Sequence, residues 1–331
     1  MSNKLDIIKI IKQNLSKEID LLNNLTKEYY SSNASLTFEI SDYLFAAGGK
    51  RIRPLLTIIT SKIFEYEGDD NIKLAAAAEF IHNATLLHDD VVDESAIRRF
   101  KPTSNLIWGN KASILVGDFL LTQAFRLIIS AKSIESMKVL SRASSMICEG
   151  EVTQLMKLKL RSIISEDEYF KIIRAKTSEL FGACCSTGAI IAQQTNDIST
   201  IMYEFGIIIG NIFQIIDDLL DYLGTKESIG KNNGDDFFEG KVTLPLIILY
   251  NKSEINIKLQ IDELLKLNTR SFDDFEYMKS LFLIHNVKDD IFNYLNKFKQ
   301  DALSCLSKIQ YNNIYVKYLS ELVDFIITRS Y

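Results

Sequence analysis

Two stretches of the chain carry the same acidic signature. Asp89-Asp90-Val91-Val92-Asp93 and Asp217-Asp218-Leu219-Leu220-Asp221 both read DDxxD, and each closes an apolar run, residues 80–87 and 207–216. On a helix, residues three and four apart share a face. The expectation is therefore that Asp89, Asp90 and Asp93 point one way, and that Asp217, Asp218 and Asp221 do likewise. One such cluster alone could be a solvated helix end, because short motifs match by chance. Two with the same spacing, facing each other, would set six carboxylates across a cavity. Like charges this close need a cation, Arg or Lys partners, or open water. Ligands that are all oxygen suit Mg²⁺ or Ca²⁺ rather than Zn²⁺. The spaced Asp/Asn pattern with a central Gly that marks an EF-hand Ca²⁺ loop is absent. Mg²⁺ takes one or two carboxylates, keeps waters and completes its shell with phosphate oxygens. The pattern thus predicts a Mg²⁺–diphosphate clamp.

Cations flank both clusters. Gly48-Gly49-Lys50-Arg51-Ile52-Arg53-Pro54 places basic side chains beside a helix that Pro54 opens, a favourable position for an anion. Its plainer reading is a solvated basic turn. Arg98-Arg99-Phe100-Lys101-Pro102-Thr103 follows the first acidic motif, and Arg suits bidentate phosphate contacts. Alternatively, Arg98 and Arg99 neutralise the aspartates they follow. His82 lies seven residues before Asp89 and shares its face, whereas His88 faces elsewhere and reads as structural. Gln214 lies three residues before Asp217, where its amide could join a core network or offer oxygen to a cation. Lys176-Thr177, Glu149-Gly150-Glu151 and two polar segments, Gly230–Asp236 and Glu239–Lys241, complete the candidates.

Helices must position these groups. Apolar residues recur at helical spacing over 4–30, and a second helix over 35–47 ends at Gly48-Gly49. Helices are predicted over 71–93, 109–130, 134–160, 166–194 and 197–223. Ser165 with Glu168 forms a capping box for the helix at 166, and Thr243 with Pro245 begins another. Strand alternation does not persist anywhere, and no linker interrupts the chain, so one all-α domain over 1–331 is expected. Only 3 Pro and 14 Gly occur, too few for an all-β protein with many tight turns. With 38 basic and 43 acidic residues the net charge is −5, which predicts no nucleic-acid partner. The 4 cysteines lack metal or disulfide spacing, and Cys184 and Cys185 read as reduced core residues. Residues 1–11 lack the basic-then-apolar pattern of a secretory leader, and no uninterrupted run of about 18 apolar residues occurs. A cytoplasmic protein without a transmembrane segment is the expectation.

A greasy helical interior, two acidic clusters and separate cationic groups together suit substrates with diphosphate heads and hydrocarbon tails. At this point the chain resembles the trans-isoprenyl diphosphate synthases, or polyprenyl synthetases. The matching stretches are GGKRIRP (48–54), the first aspartate motif with its trailing RR and KPT (89–103), WGNKASILVGD (108–118), KT (176–177), FQIIDDLLDY (213–222) and GDDFFEGKVTLP (234–245). They occur in the family's order, and the bacterial long-chain, octaprenyl-type members look most similar. The resemblance implies an isoprenoid-synthase-type helical bundle around a deep apolar cavity, acting as a homodimer. It implies Mg²⁺-dependent head-to-tail condensation of isopentenyl diphosphate with an allylic diphosphate such as farnesyl diphosphate. The long product would serve as a quinone side chain, with peripheral membrane contact for its release.

By that match Asp89 and Asp93, with Asp90 in support, and Asp217, with Asp221 in support, hold the metal, and Asp218 joins the catalytic set. Arg98, Lys176, Lys231 and Lys241 contact the allylic diphosphate. Lys50, Arg53, His82 and Arg99 hold isopentenyl diphosphate. Thr177 and Gln214 set oxygen dipoles near the allylic cation. Phe100 departs from the family, which has Gly there. If that position needs a positive φ, Phe is strained. Product length is expected to depend on Ala84 and Thr85, small residues about one turn before Asp89. Met146 and Met156 read as core packing rather than a tunnel floor. A class I terpene cyclase would lack the second DDxxD and GGKRIRP. A non-catalytic regulatory subunit would have lost an acidic motif. A shorter-chain synthase differs only in its cavity floor.

Overall fold

In a computed structural model, residues 7–224 and 233–328 are described. The amphipathic N-terminus forms two helices rather than one, α1 (Ile7–Asn14) and α2 (Ser16–Tyr30), because the chain turns at Leu15. Helix α3 (Ser35–Ala46) ends where expected, since Gly48 (φ 73°) and Gly49 (φ 145°) leave helical geometry. Helix α4 (Ile52–Ile63) follows, and α5 (Asp70–Val92) carries the first acidic motif at its C-terminal end. Its Ala75–Ala78 run is fully buried, and α5 packs closely against α4 and α7 (Asn110–Ser130). Between α5 and α7 lie a two-residue ribbon, β1 (Ile97–Arg98) and β2 (Lys101–Pro102), and short α6 (Ser104–Trp108). Helix α8 (Ile134–Leu160) then leads to α9 (Glu166–Ile173), which begins at the capping box of Ser165 and Glu168.

The single helix expected over 166–194 is three pieces. After α9 a π-helical turn runs Arg174–Ser178, then α10 runs Glu179–Ile191. Two neighbours press on this turn through glycines. A Cβ on Gly150 of α8 would lie 2.9 Å from Ala175 Cβ and from the Lys176 nitrogen. A Cβ on Gly210 of α11 (Asn196–Leu223) would lie 2.5 Å from Ser178 Cα. Helix α11 carries the second acidic motif, and α10 packs between α11 and α4. The remaining helices are α12 (Asp235–Glu239), α13 (Leu244–Lys252), α14 (Ile255–Lys266), α15 (Phe272–Ile284), α16 (Val287–Lys308) and α17 (Ile314–Thr328). One contiguous apolar core reaches from Ile7 to Ile327. Cys184 and Cys185 are buried free thiols within it.

Two helices, α7 and α11, are long and apolar enough to cross a membrane by length and composition. The expectation from uninterrupted apolar runs overlooked them because scattered polar residues break each run. In the fold, half of the most apolar stretch of α11 is buried (50 %), and its C-terminal end presents aspartates to a cavity. Met156 is 65 % exposed, so it is neither core nor tunnel floor.

Candidate active site

The C-terminal ends of α5 and α11 open onto one cavity of about 680 Å³. Asp89 and Asp93 line one wall, with Asp217, Asp218 and Asp221 on another. Lys50, Arg53, His82 and Arg99 line the same cavity, as do Arg98, Lys176, Thr177, Gln214 and Lys241. Leu86, Ile147 and Phe213 supply apolar lining. Lys231 lies outside the described residues. Of the two chain-length positions, Thr85 lines the cavity, whereas Ala84 is buried in the packing behind it.

Asp90 departs from the expected common face. Its buried carboxylate accepts from Arg98 Nε at 2.8 Å, with Nη2 at 2.7 Å, and does not line the cavity. Adjacent helical residues are about 100° apart, so Asp90 turns away from the wall that Asp89 and Asp93 share. The second motif differs: Asp218 lines the cavity with Asp217 and Asp221, yet its carboxyl is also held by protein donors. Asp218 Oδ2 accepts from the Tyr169 hydroxyl at 2.6 Å, and Oδ1 accepts from Gln214 Nε2 at 2.8 Å. Gln214 therefore pairs four residues on, with Asp218, rather than three on, with Asp217. Thr177 Oγ1 donates to Gln214 Oε1 at 2.8 Å. Asp221 Oδ2 accepts from the Asp236 amide at 3.0 Å, which fastens α12 to the motif.

The cations on this side of the cavity are each matched by a carboxylate. Lys176 Nζ lies 2.9 Å from Glu151, and Lys241 Nζ lies 2.9 Å from Asp93 while also pairing with Glu239. Burial raises the Asp89 pKa to about 7, with Glu151 and Asp93 adding and Lys176 and Arg98 opposing. Asp218 is pushed up to about 8 by burial and by Asp236, against its two hydrogen-bond donors. Burial works against the charge of Lys241, but Asp236, Asp93 and Glu239 hold it firmly protonated. One buried carboxyl on each wall, Asp89 and Asp218, thus resists ionisation, which favours a cation between the walls.

At the other end the site is cationic. Arg53 lies over the Phe181 ring, 4.6 Å from its centroid, and Lys50 Nζ is 5.1 Å from the Phe325 centroid. Arg99 Nη1 donates to the Gly48 carbonyl oxygen, and a Cβ on Gly49 would lie 2.9 Å from Arg99 Nη2. Gly49 thus makes room for Arg99. Burial drives the His82 pKa well below its ordinary value, with Arg53, Arg99 and Arg98 adding, so His82 is a neutral imidazole among cations. Arg99 (φ 51°) and Phe100 (φ 63°) form the turn of the β1–β2 ribbon, both left-handed. That confirms the conformation in which Phe at position 100 is strained. His88 takes the structural place expected of it, with Nε2 3.2 Å from the Ile114 carbonyl oxygen and 3.5 Å from Asp118.

Sequence reasoning passed over several residues of the site. Glu79 lines the cavity and supports the charge of Arg53 and Arg99. Its position three residues before His82 was a legible helical-face signal. Tyr169 carries no such local signal, and although Glu151 and Asp236 lie in stretches singled out above, their partners could not be read there, because each meets its partner only through tertiary packing. A smaller cavity of about 100 Å³ lies beyond Lys176 and Thr177, against Tyr169 and Asp218.

The donor set is suited to a hard divalent cation, since the facing walls offer only oxygen ligands. Among the described residues, no three His, Cys, Asp or Glu side chains gather closely enough to hold an ion by themselves.

The polyprenyl synthetase family model matches residues 34–282. The chain is 45 % identical over 220 residues to the octaprenyl diphosphate synthase of Escherichia coli (strain K12), covering 66 % of this chain and 68 % of that one. It is 33 % identical over 323 residues to the geranylgeranyl diphosphate synthase of Sulfolobus acidocaldarius, covering 94 % and 96 %. The fold superposes with a TM-score of 0.92 on a polyprenyl synthase of Caulobacter crescentus complexed with calcium and isoprenyl diphosphate. That protein is 36 % identical, with 98 % of each chain covered.

Proposed function

The chain belongs to the polyprenyl synthetase family and is a trans-prenyltransferase; from that premise we propose that it elongates an allylic diphosphate with isopentenyl diphosphate to a long all-trans product, octaprenyl diphosphate, for a quinone side chain. The observation that carries this reading is the mixed lining of one cavity. The cations Lys50, Arg53 and Arg99, the facing carboxylates of both acidic motifs and the apolar side chains of Leu86, Ile147 and Phe213 all line it.

In this reading Lys50, Arg53 and Arg99 bind the diphosphate of isopentenyl diphosphate directly, and neutral His82 donates a hydrogen bond to it. Asp89, Asp93 and Asp217, supported by Asp221, would hold Mg²⁺. Bound there, the ion would neutralise charge developing on the departing allylic diphosphate. Arg98, Lys176, Lys241 and Lys231 bind that same diphosphate. When the allylic C1–oxygen bond breaks, Thr177 and Gln214 face the electron-poor carbon. The new bond joins C1 to C4 of isopentenyl diphosphate, and the C2 proton passes to the released diphosphate. That route fits a cavity whose nearest carboxylates are engaged with cations and donors. Thr85 on the cavity wall and Ala84 buried behind it are both small, and small residues one turn before Asp89 favour a long product.

The test is incubation with farnesyl diphosphate, labelled isopentenyl diphosphate and Mg²⁺, with an EDTA control and sizing of dephosphorylated products. An EDTA-sensitive ladder ending at the octaprenyl chain is expected. A ladder stopping at geranylgeranyl would replace the long-chain reading with a short-chain one. No elongation from any allylic primer would overturn the enzyme reading in favour of a regulatory subunit.

A further inference from the structure

Gln214 poses a question that its place in the cavity wall leaves open. A primary amide offers lone pairs on one side and two N–H donors on the other. Facing a carbon that becomes electron-poor, lone pairs stabilise and N–H groups repel. Something must fix which side faces inward.

We propose that Asp218, braced by Tyr169, is a positioning residue that turns the Gln214 amide so that lone pairs rather than protons face the reacting allylic carbon. The inference rests on the condensation reaction proposed above. Its geometry follows from three bonds. The Tyr169 hydroxyl donates to Asp218 Oδ2 at 2.6 Å, and Gln214 Nε2 donates to Asp218 Oδ1 at 2.8 Å. A carboxylate only accepts, so the amide atom turned toward it must be nitrogen. Oε1 then faces Thr177, whose Oγ1 donates to it at 2.8 Å. Thr177 spends its one proton there and has only lone pairs left for the cavity. A proton on Asp218 does not undo this order, because it can lie on Oδ2 toward the Tyr169 oxygen while Oδ1 still accepts. Tyr169 is buried on α9, its ring edge-on to Phe170 at 5.3 Å, so its hydroxyl is held in place by packing. The network ties α9, the π-turn and α11 to one orientation.

Replacing Asp218 by Asn removes the constraint. An amide facing an amide satisfies both with either orientation, so a share of molecules turns N–H groups toward the cavity. Steady-state kinetics of Asp218→Asn with farnesyl and isopentenyl diphosphates should show kcat lowered about tenfold or more, as for other groups that orient a reacting side chain. KM for both substrates and the Mg²⁺ concentration giving half-maximal rate should stay within about twofold, since binding groups are untouched. Mg²⁺-dependent binding of inorganic diphosphate, measured by calorimetry, should likewise be unchanged. Tyr169→Phe, which keeps the ring, should shift kcat in the same direction by less. The double variant Asp218→Asn/Gln214→Leu should be no slower than Gln214→Leu alone, because the two act as one unit. Independent, multiplying losses would overturn the proposal. So would a tenfold rise in the Mg²⁺ requirement of Asp218→Asn, which would make Asp218 a metal ligand. Should Asp218→Asn not fold, Tyr169→Phe decides: an unchanged kcat overturns the proposal. A wild-type protein that elongates nothing would count against the reaction instead.

Discussion

The Arg99–Phe100 turn holds two non-glycine residues in the left-handed region. A non-glycine residue in the left-handed region costs roughly 1–2 kcal/mol. Phe100 (φ 63°) is 68 % exposed, so little burial offsets that cost. Phe100→Gly relieves the strain but adds roughly 0.5–1 kcal/mol of chain entropy. The net expectation is a gain of about 0.5–1 kcal/mol, read as a higher urea midpoint at unchanged slope. His82 sets a pH dependence of known sign. Its folded pKa lies well below its ordinary 6.5, so in that window the unfolded chain binds a proton that the folded chain refuses. Its share of stability is present above 6.5 and is lost as pH falls, by at most about 1.4 kcal/mol per unit. His82→Gln should flatten that acid limb between pH ~6.5 and ~5, measured by thermal unfolding across pH. At this scale the sequence was informative about Asp89, Asp93, Asp217 and Asp221, whose spacing of four puts each pair on one face. It misled at Asp90, which lies about a hundred degrees round the helix from Asp89 and turns to Arg98, and it did not foresee that Asp218, while lining the cavity, is held by Tyr169 and Gln214. The identity of those partners depends on elements distant in the chain.

Among the elements, the π-turn at Arg174–Ser178 does the most to place the site. It carries Lys176 and Thr177, and an inserted residue in a helix re-aims the side chains that follow it. The sequence gives no hint of it, because one extra residue in the 29-residue apolar-periodic stretch over 166–194 barely disturbs the hydrophobic pattern. The glycines that admit it were visible, but their reason was not. Gly210 lets the backbone of α11 approach Ser178, where a Cβ would come to 2.5 Å of the Cα. Neither backbone can move without disturbing the core. Gly210→Ala should therefore cost about 1–3 kcal/mol as overpacking. By displacing the turn it should also lower kcat more than a remote substitution of equal stability cost. Thermal unfolding together with kcat for chain elongation checks both parts. A variant destabilised as expected but with undiminished kcat would show that the turn tolerates the shift. The same comparison separates positioning from stability at Gly150, which meets the other end of the turn.

For the whole molecule, the helical bundle was legible from periodicity and caps, but its outer surface was not. Pattern alone does not say which apolar residues find a partner within the chain. On α7, Ile114, Leu115, Phe125 and Ile129 stay exposed, with Leu115 at 67 % and Ile129 at 60 %. At about 100° per residue these four fall within an arc of about 100°, a single stripe along a helix roughly 30 Å long. Helix α8 adds exposed Val152, Met156 and Leu160. Scattered exposed apolar residues are ordinary, whereas two apolar pairs on one helix face, parted and rimmed by polar residues such as Asp118 and Thr122, mark a contact surface. A stable interface buries about 800 Å² on each partner, more than one stripe supplies, so α7 and part of α8 would both have to engage. We propose that a second copy of the chain covers this face, giving a homodimer by a two-fold contact in which α7 meets its symmetry mate. Leu115→Lys with Ile129→Lys places like charges across such a contact while leaving the buried face of α7 intact. Light scattering coupled to size exclusion should give a dimer mass for the wild type and a monomer mass for the double variant at micromolar concentration. A wild-type dimer unaffected by the two lysines would move the interface elsewhere on the bundle, and a wild-type monomer would leave the stripe to another partner.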